Sequence, residues 1–198
     1  MTTTLITHTP EYLISECAKI CYATKPLEDG GRDITSDLVH GRGHLAALRF
    51  AFAVVKVDDV SIACQNQIVR SKHLDFMVQS KRYVNPDKGD FKFIMPEAVE
   101  GDREKAIMEK CWHDSKYAYE TLINLGVKKE DARAILPMNT STKMYISGNL
   151  QSWMDFFKLR LNPHAQAEVN DVAISIYALL QEVYPQVFTA ELFEKLSK

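Results

Sequence analysis

Leu45-Ala46-Ala47-Leu48-Arg49-Phe50-Ala51-Phe52-Ala53-Val54-Val55-Lys56-Val57 is the most apolar run of the chain. Val, Phe and Ala dominate it, and such residues suit a pleated surface with both faces covered. The run therefore predicts a buried strand over residues 45–57. Helical periods lie on either side. Upstream, Leu13, Ile14, Cys17, Ile20 and Cys21 make an apolar stripe within residues 11–24. Downstream, Asp59 stands as N-cap of a helix over residues 60–72, with Ile62, Ala63, Ile68 and Val69 toward the core and Gln65 and Asn66 outward.

Further out, Ser36 caps a short turn to His40. Residues 85–89 (Asn-Pro-Asp-Lys-Gly) read as a turn, and residues 91–95 as a short strand closed by Pro96. A long helix follows Gly101 and stops at Gly126. Its Ile107, Met108, Cys111, Tyr119, Leu122 and Ile123 are expected in the core. Residues 128–135 form a short helix and 140–146 an extended segment. Residues 150–159 form an amphipathic helix whose Trp153, Phe156 and Phe157 belong to the core. Residues 164–183 are helical, and Thr189 caps a last short helix. Long helices among few strands predict an α+β fold: one domain over residues 1–198, with a central mixed or antiparallel sheet flanked by long helices.

With 198 residues, 25% charged, and a net charge of −2, the chain lacks the broad basic surface that a binder of nucleic-acid polymers needs. No apolar run has the length of a membrane span, so no membrane partner is expected. Residues 1–10 lack a charged start followed by an apolar core, so the expectation is a cytoplasmic protein. The four cysteines, Cys17, Cys21, Cys64 and Cys111, lack the spacing of a zinc site and are expected as buried, reduced thiols. His40 and His44 are four apart, but Gly41 and Gly43 break the helix that would pair them, and no metal is expected.

Residues 67–83 (Gln-Ile-Val-Arg-Ser-Lys-His-Leu-Asp-Phe-Met-Val-Gln-Ser-Lys-Arg-Tyr) gather four cations, Arg70, Lys72, Lys81 and Arg82, around Ser80 and Tyr83. Such a local excess in a nearly neutral chain points to an anion, with phosphate the best match. A guanidinium grips phosphate oxygens in pairs and a serine hydroxyl adds another hydrogen bond.

This segment resembles the signature of the flavin-dependent thymidylate synthases, Arg-His-Arg-x-x-Ser-x-Asn-Glu-x-Ser-x-Arg-Tyr, at Arg70, Ser80, Arg82 and Tyr83. Gln67 also stands in its family place. Four further segments follow the family in order. Gly43-His44 precedes the apolar run. Residues 132–137 resemble its Ala-Arg-x-x-Leu-Pro, and Asn149-Leu150 its Asn-Leu-Arg. Phe156, Arg160 and His164-Ala165-Gln166-Ala167-Glu168 resemble its Phe-x-x-x-Arg…His-Ala-Gln-x-Glu. The similarity runs over about residues 11–187, and collinear segments are far less accidental than one motif.

The resemblance implies a fold like that family's, FAD as cofactor, and transfer of one carbon from methylenetetrahydrofolate to C5 of dUMP, with NADPH as reductant and dTMP as product. It implies a homotetramer whose active sites are shared between subunits. For dUMP it implies Gln67, Arg70, Ser80, Lys81, Arg82, Arg133 and Arg160. Of these, Arg160 has the catalytic role, holding the uracil with N3 ionised so that C5 becomes nucleophilic. For FAD it implies His44, Arg70, Ser71, Lys72, Asn149, Gln151 and Asp155. No cysteine attacks the base in this family, and the chain has no Pro-Cys-His motif.

The chain also departs from the pattern. Ser71 and Lys72 replace the motif His and second Arg, Asp75 replaces its first Ser, and Met77-Val78 replace Asn-Glu. Gln151 stands for an Arg and Asp155 for an Asn. The strand-end Leu-Glu-His is Leu48-Arg49-Phe50. Those changes fall mainly on the flavin and folate side. They leave two alternatives: a paralogue that modifies another uridine nucleotide by methyl or hydroxymethyl transfer, or a non-catalytic nucleotide-binding protein that has kept the fold.

Overall fold

The computed structural model describes residues 1–83 and 91–198; the turn expected at residues 85–89 lies outside them. Four strands, β1 (Thr2–His8), β2 (Phe52–Ser61), β3 (Asp75–Val78) and β4 (Ser141–Asn149), make a sheet in the order β1-β2-β4-β3. All three pairings are antiparallel. The mixed-or-antiparallel expectation thus resolves to antiparallel. Helices α1 (Tyr12–Tyr22), α2 (Ile62–Ile68), α3 (Asp102–Asn124), α4 (Lys129–Ala132), α5 (Leu150–Arg160), α6 (Ala167–Val183) and α7 (Ala190–Leu196) complete the α+β fold.

The apolar run divides in two. Leu45–Phe50 winds as a 3-10 helix, and the chain becomes extended at Ala51 before β2 begins. Leu and Ala are good helix formers, and Leu48 is fully buried by the turn. In β2 the alternation is clear. Ala53, Val55 and Val57 are buried, whereas Phe52, Val54 and Lys56 face the other way and are partly or fully exposed. The strand β1, rich in threonine, was not anticipated. Its pattern TTTLITH carries only two large apolar residues, and its pairing with β2 supplies the rest.

Asp59 is not a helix cap. It lies within β2 at φ +55, where the register with β4 shifts between Val57 and Val60. An aspartate tolerates that left-handed bulge, and its carboxylate accepts from Lys92 at 2.7 Å. The cap of α2 is Ser61, whose Oγ accepts from the Cys64 amide at 2.9 Å. The helix ends at Ile68, four residues earlier than expected. A tight turn at residues 69–74, with His73 at φ +63, then lets β3 run along the sheet edge. Gly148 makes that approach possible, because a Cβ there would overlap Leu74 Cδ2.

Helices α2, α5 and α6 contribute to one core with the buried strand residues. Trp153, Phe156 and Phe157 of α5 are fully buried, as expected, and Phe157 stacks edge-on against Tyr177 and Phe188 at 5.0 and 5.4 Å between centroids. Truncating a residue such as Trp153 to Ala would cost about 3–5 kcal/mol. A smaller cluster holds Phe91, Trp112, Tyr119 and Ala132. On α3 the inward face is that of Trp112 and Tyr119; Ile107 and Cys111, expected in the core, are exposed. The thiols also differ from expectation. Cys64 is buried, Cys17 half-buried, and Cys21 and Cys111 exposed, all reduced. Among the described residues, no helix is long and apolar enough to cross a membrane.

Candidate functional site

Two groups of cations stand near α2. The first surrounds a cleft of about 400 Å³ lined by Ile62 and Gln65 of α2, by Ser80 and Lys81 just past β3, and by Arg133 and Leu136 just past α4. Arg82 lies at its side, with its amide 3.3 Å from Ser80 Oγ and its guanidinium 2.8 Å from Glu130. Arg133 Nε donates to the Glu130 carbonyl at 3.1 Å. Four residues from two distant segments are thus brought together: Ser80, Lys81, Arg82 and Arg133. Lys81 is the inward member. It is buried, donates to the Ser141 carbonyl at 2.5 Å and to Gln79 at 3.1 Å, and lies 4.3 Å from the Phe91 ring centroid.

The second group is built around Arg160, the last residue of α5. One terminal nitrogen donates to the Gln67 carbonyl at 2.6 Å, while its Nε is buried with no hydrogen-bond partner among the described residues. Asn170 holds the Arg160 carbonyl at 2.9 Å. Burial, and then the neighbouring Arg70, lower the Arg160 pKa, though a guanidinium stays charged. The Gln67 side chain donates to Gln166, and the Glu168 carboxylate accepts from the Ser61 amide and hydroxyl at 2.6 Å each. Cys64 lies within electrostatic reach of Arg160, but burial pushes its thiol well above the usual range. It is therefore no nucleophile at neutral pH.

The remaining predicted residues lie toward the other end of β3 or farther away. Ser71 is buried in the turn after α2, and its Oγ has no partner among the described residues. Arg70 and Lys72 flank it, exposed. Because Asp75 pairs with Ser147, this turn lies beside Gly148 and Asn149. Asn149 caps α5, its Oδ1 accepting from the Ser152 amide at 2.9 Å. Gln151 and Asp155 bond to one another at 3.3 Å, with Lys158 on Asp155 at 2.9 Å. His44 is set apart, with its Nδ1 2.7 Å from Tyr22 Oη in an apolar cavity of about 540 Å³ between α1 and the 3-10 helix. No hydrogen bond among the described residues joins it to Ser71 or Asn149. His164 is exposed in the turn before α6.

Sequence reasoning missed Gln65, Glu130 and Glu168 as parts of these groups. Glu168 had a signal, an acidic residue in the first turn of a helix; the pairing of Glu130 with Arg82, 48 positions apart, had none.

The fold is that of an α+β protein with two cation groups beside α2. The chain belongs to the thymidylate synthase complementing protein family, whose model matches residues 4–186. It is similar to the flavin-dependent thymidylate synthase of Geobacter sulfurreducens, 29% identical over 93% of this chain and 84% of that one. A namesake from Saccharolobus solfataricus is 26% identical over 92% and 72%. One from Pyrococcus furiosus is 34% identical over 72% and 59%.

Proposed function

We propose that the protein forms dTMP from dUMP in a flavin-dependent reaction, with methylenetetrahydrofolate as carbon donor and NADPH as reductant. The observation that carries this reading is the Arg160 guanidinium. It is held by a backbone carbonyl, half-buried, and has one buried donor without a partner among the described residues. A planar acceptor such as the uracil O4–N3 edge satisfies that donor, and the fixed positive charge favours the N3 anion that makes C5 nucleophilic. Relatives named as flavin-dependent thymidylate synthases align over most of the chain. That favours dTMP formation over the paralogue and the non-catalytic binder.

Ser80, Lys81, Arg82 and Arg133 hold the phosphate at the 400 Å³ cleft. Gln67 and Arg70 would stand beside the base, since the Gln67 carbonyl accepts from the Arg160 guanidinium and Arg70 lies within its electrostatic reach. The residues near Asn149 fit FAD: Ser71 Oγ is a buried polar atom without a partner among the described residues, and two exposed cations, Arg70 and Lys72, flank it on the same turn. Arg70, Ser71, Lys72 and Asn149 would hold the cofactor, with His44, Gln151 and Asp155 farther out; Lys158 offsets the charge of Asp155. When bound, the flavin supplies the reducing equivalents that turn the transferred carbon into a methyl group. The chain's part is to orient the base, hold N3 deprotonated and anchor the phosphate.

The same reading takes residues 1–198 as one domain, since α2 and the Arg133 segment line a common cleft. It also takes the assembly as a homotetramer with shared sites. Phe52, Tyr145 and Met77 lie 43%, 43% and 73% exposed on the sheet face turned away from the core, an apolar surface suited to a second copy. The test is direct: with dUMP, methylenetetrahydrofolate, FAD and NADPH, mass spectrometry should find dTMP. Turnover of UMP but not dUMP would overturn the reading.

A further inference from the structure

We propose that Glu168 is a positioning residue for Arg160 and acts through helix α2; the inference rests on Arg160 as the base-binding group. Glu168 stands in the first turn of α6 and spends both carboxylate oxygens on one residue, Ser61. Oε1 accepts the Ser61 amide and Oε2 its hydroxyl, each at 2.6 Å. The hydroxyl proton is thereby committed outward, leaving its lone pairs for the Cys64 amide at 2.9 Å. The acid thus fixes the cap of α2, and a charged acceptor strengthens the chain of bonds behind it.

Helix α2 has only seven residues, too few to persist without outside support. Its start is held by the Thr140 and Met138 carbonyls, which accept from the Ile62 and Ala63 amides at 3.0 Å each, and by α6, and its end by α5 and the residue that caps α6. Glu168 holds its start, while near its end Gln67 bonds to Gln166 by side chain and to Arg160 by carbonyl. The Gln67 carbonyl is the acceptor that orients the Arg160 guanidinium, since Asn170 secures only the arginine's backbone. Loosening the first turn of α2 therefore moves the carbonyl that aims the unused Nε. Glu168 touches neither base nor phosphate, yet sets the direction from which the base is met.

The experiment measures dUMP binding to the full chain by calorimetry, for the wild type and for Glu168→Ala, Glu168→Gln, Arg160→Ala and the Glu168→Ala/Arg160→Ala double variant. Loss of a charge-assisted bond pair predicts about tenfold weaker binding for Glu168→Ala. Glu168→Gln, whose carbonyl still accepts from the Ser61 amide, should lose about threefold or less. On the Arg160→Ala background, Glu168→Ala should add no further loss, because nothing remains to be aimed. Equal loss on both backgrounds would assign Glu168 a purely structural part and overturn the proposal, as would wild-type affinity in Glu168→Ala. If Glu168→Ala does not fold, Glu168→Gln and Ser61→Ala decide by the same criterion, a loss present with Arg160 and absent without it. Wild-type-like binding by Arg160→Ala would instead overturn the base-binding role of Arg160 itself.

Discussion

Arg160 and the pair Arg82–Arg133 are both cation sites beside α2, yet they are built in opposite ways. Arg160 is half-buried, with one nitrogen on a backbone carbonyl and one buried donor without a partner among the described residues. Leaving a buried donor unpaired costs about 1–3 kcal/mol, a cost that only an incoming acceptor removes. Arg82 is half exposed and already paired with Glu130 at 2.8 Å, and Arg133 donates to the same residue's carbonyl. An exposed ion pair contributes little to stability, and a ligand must exchange with it. The first site is prepared for one shape of acceptor, whereas the second offers charge that any phosphate can recruit. Discrimination among bases should therefore reside at Arg160, and encounter with the phosphate at Arg82 and Arg133.

The largest expected effect tests the Arg160 site. Arg160→Ala should lower dTMP formation by about 10²–10³-fold, as removal of a fixed donor to a developing anion does. Size-exclusion chromatography should show an unchanged assembly; retained turnover would remove Arg160 from the mechanism. Next, Arg133→Ala should raise the KM for dUMP by roughly tenfold, with a smaller change in kcat, since a phosphate contact is made in ground and transition states alike. High salt should weaken dUMP binding and leave deoxyuridine, which has no phosphate, nearly unaffected. A smaller effect has the opposite sign. Glu130→Gln releases Arg82 and should tighten dUMP binding about two- to fivefold, because the phosphate no longer displaces a carboxylate.

The smallest effect concerns pH. Burial raises the Cys64 thiol pKa in the folded chain, so the folded state holds this proton more tightly than the unfolded state. The resulting stability is complete below the unfolded thiol value, about 8.5, and declines as pH rises from there toward the folded value. Denaturant melts should show an alkaline limb that flattens in Cys64→Ala. Alkylation at neutral pH should label Cys21 and Cys111 well before Cys64.

Much of the fold could be read where periodicity was strong. Residues 150–159 and 164–183 carry apolar positions at helical spacing, and α5 and α6 followed within three residues at each end. Where two local preferences competed, the reading slipped. Asp59 has the residue type of a helix cap, but the cap fell to Ser61, because cross-strand pairing carries β2 past the bulge. The edge strand β3 was hidden because its four residues take their partner from β4, about 70 positions away. The α3 stripe was right in its second half, where Tyr119, Leu122 and Ile123 join the cluster, and wrong in its first, where Trp112 turns inward and Ile107 and Cys111 are exposed. At the site, the segments containing Ser80 and Arg133 were recognisable, yet nothing local to either predicts that Glu130 joins Arg82 to Arg133.

Gly148 bears on a different question, the tolerance of this surface to change. It sits in β4 opposite the turn that precedes β3, where any side chain would meet Leu74. It is only partly buried, so a search for intolerant positions based on depth alone would pass over it. A library randomised along β4 should nevertheless find position 148 biased toward the smallest residues, because even a Cβ there requires the Leu74 methyl to move. Larger side chains would press on Leu74 and His73, so the missing side chain at 148 sets how closely the turn after α2 lies against β4.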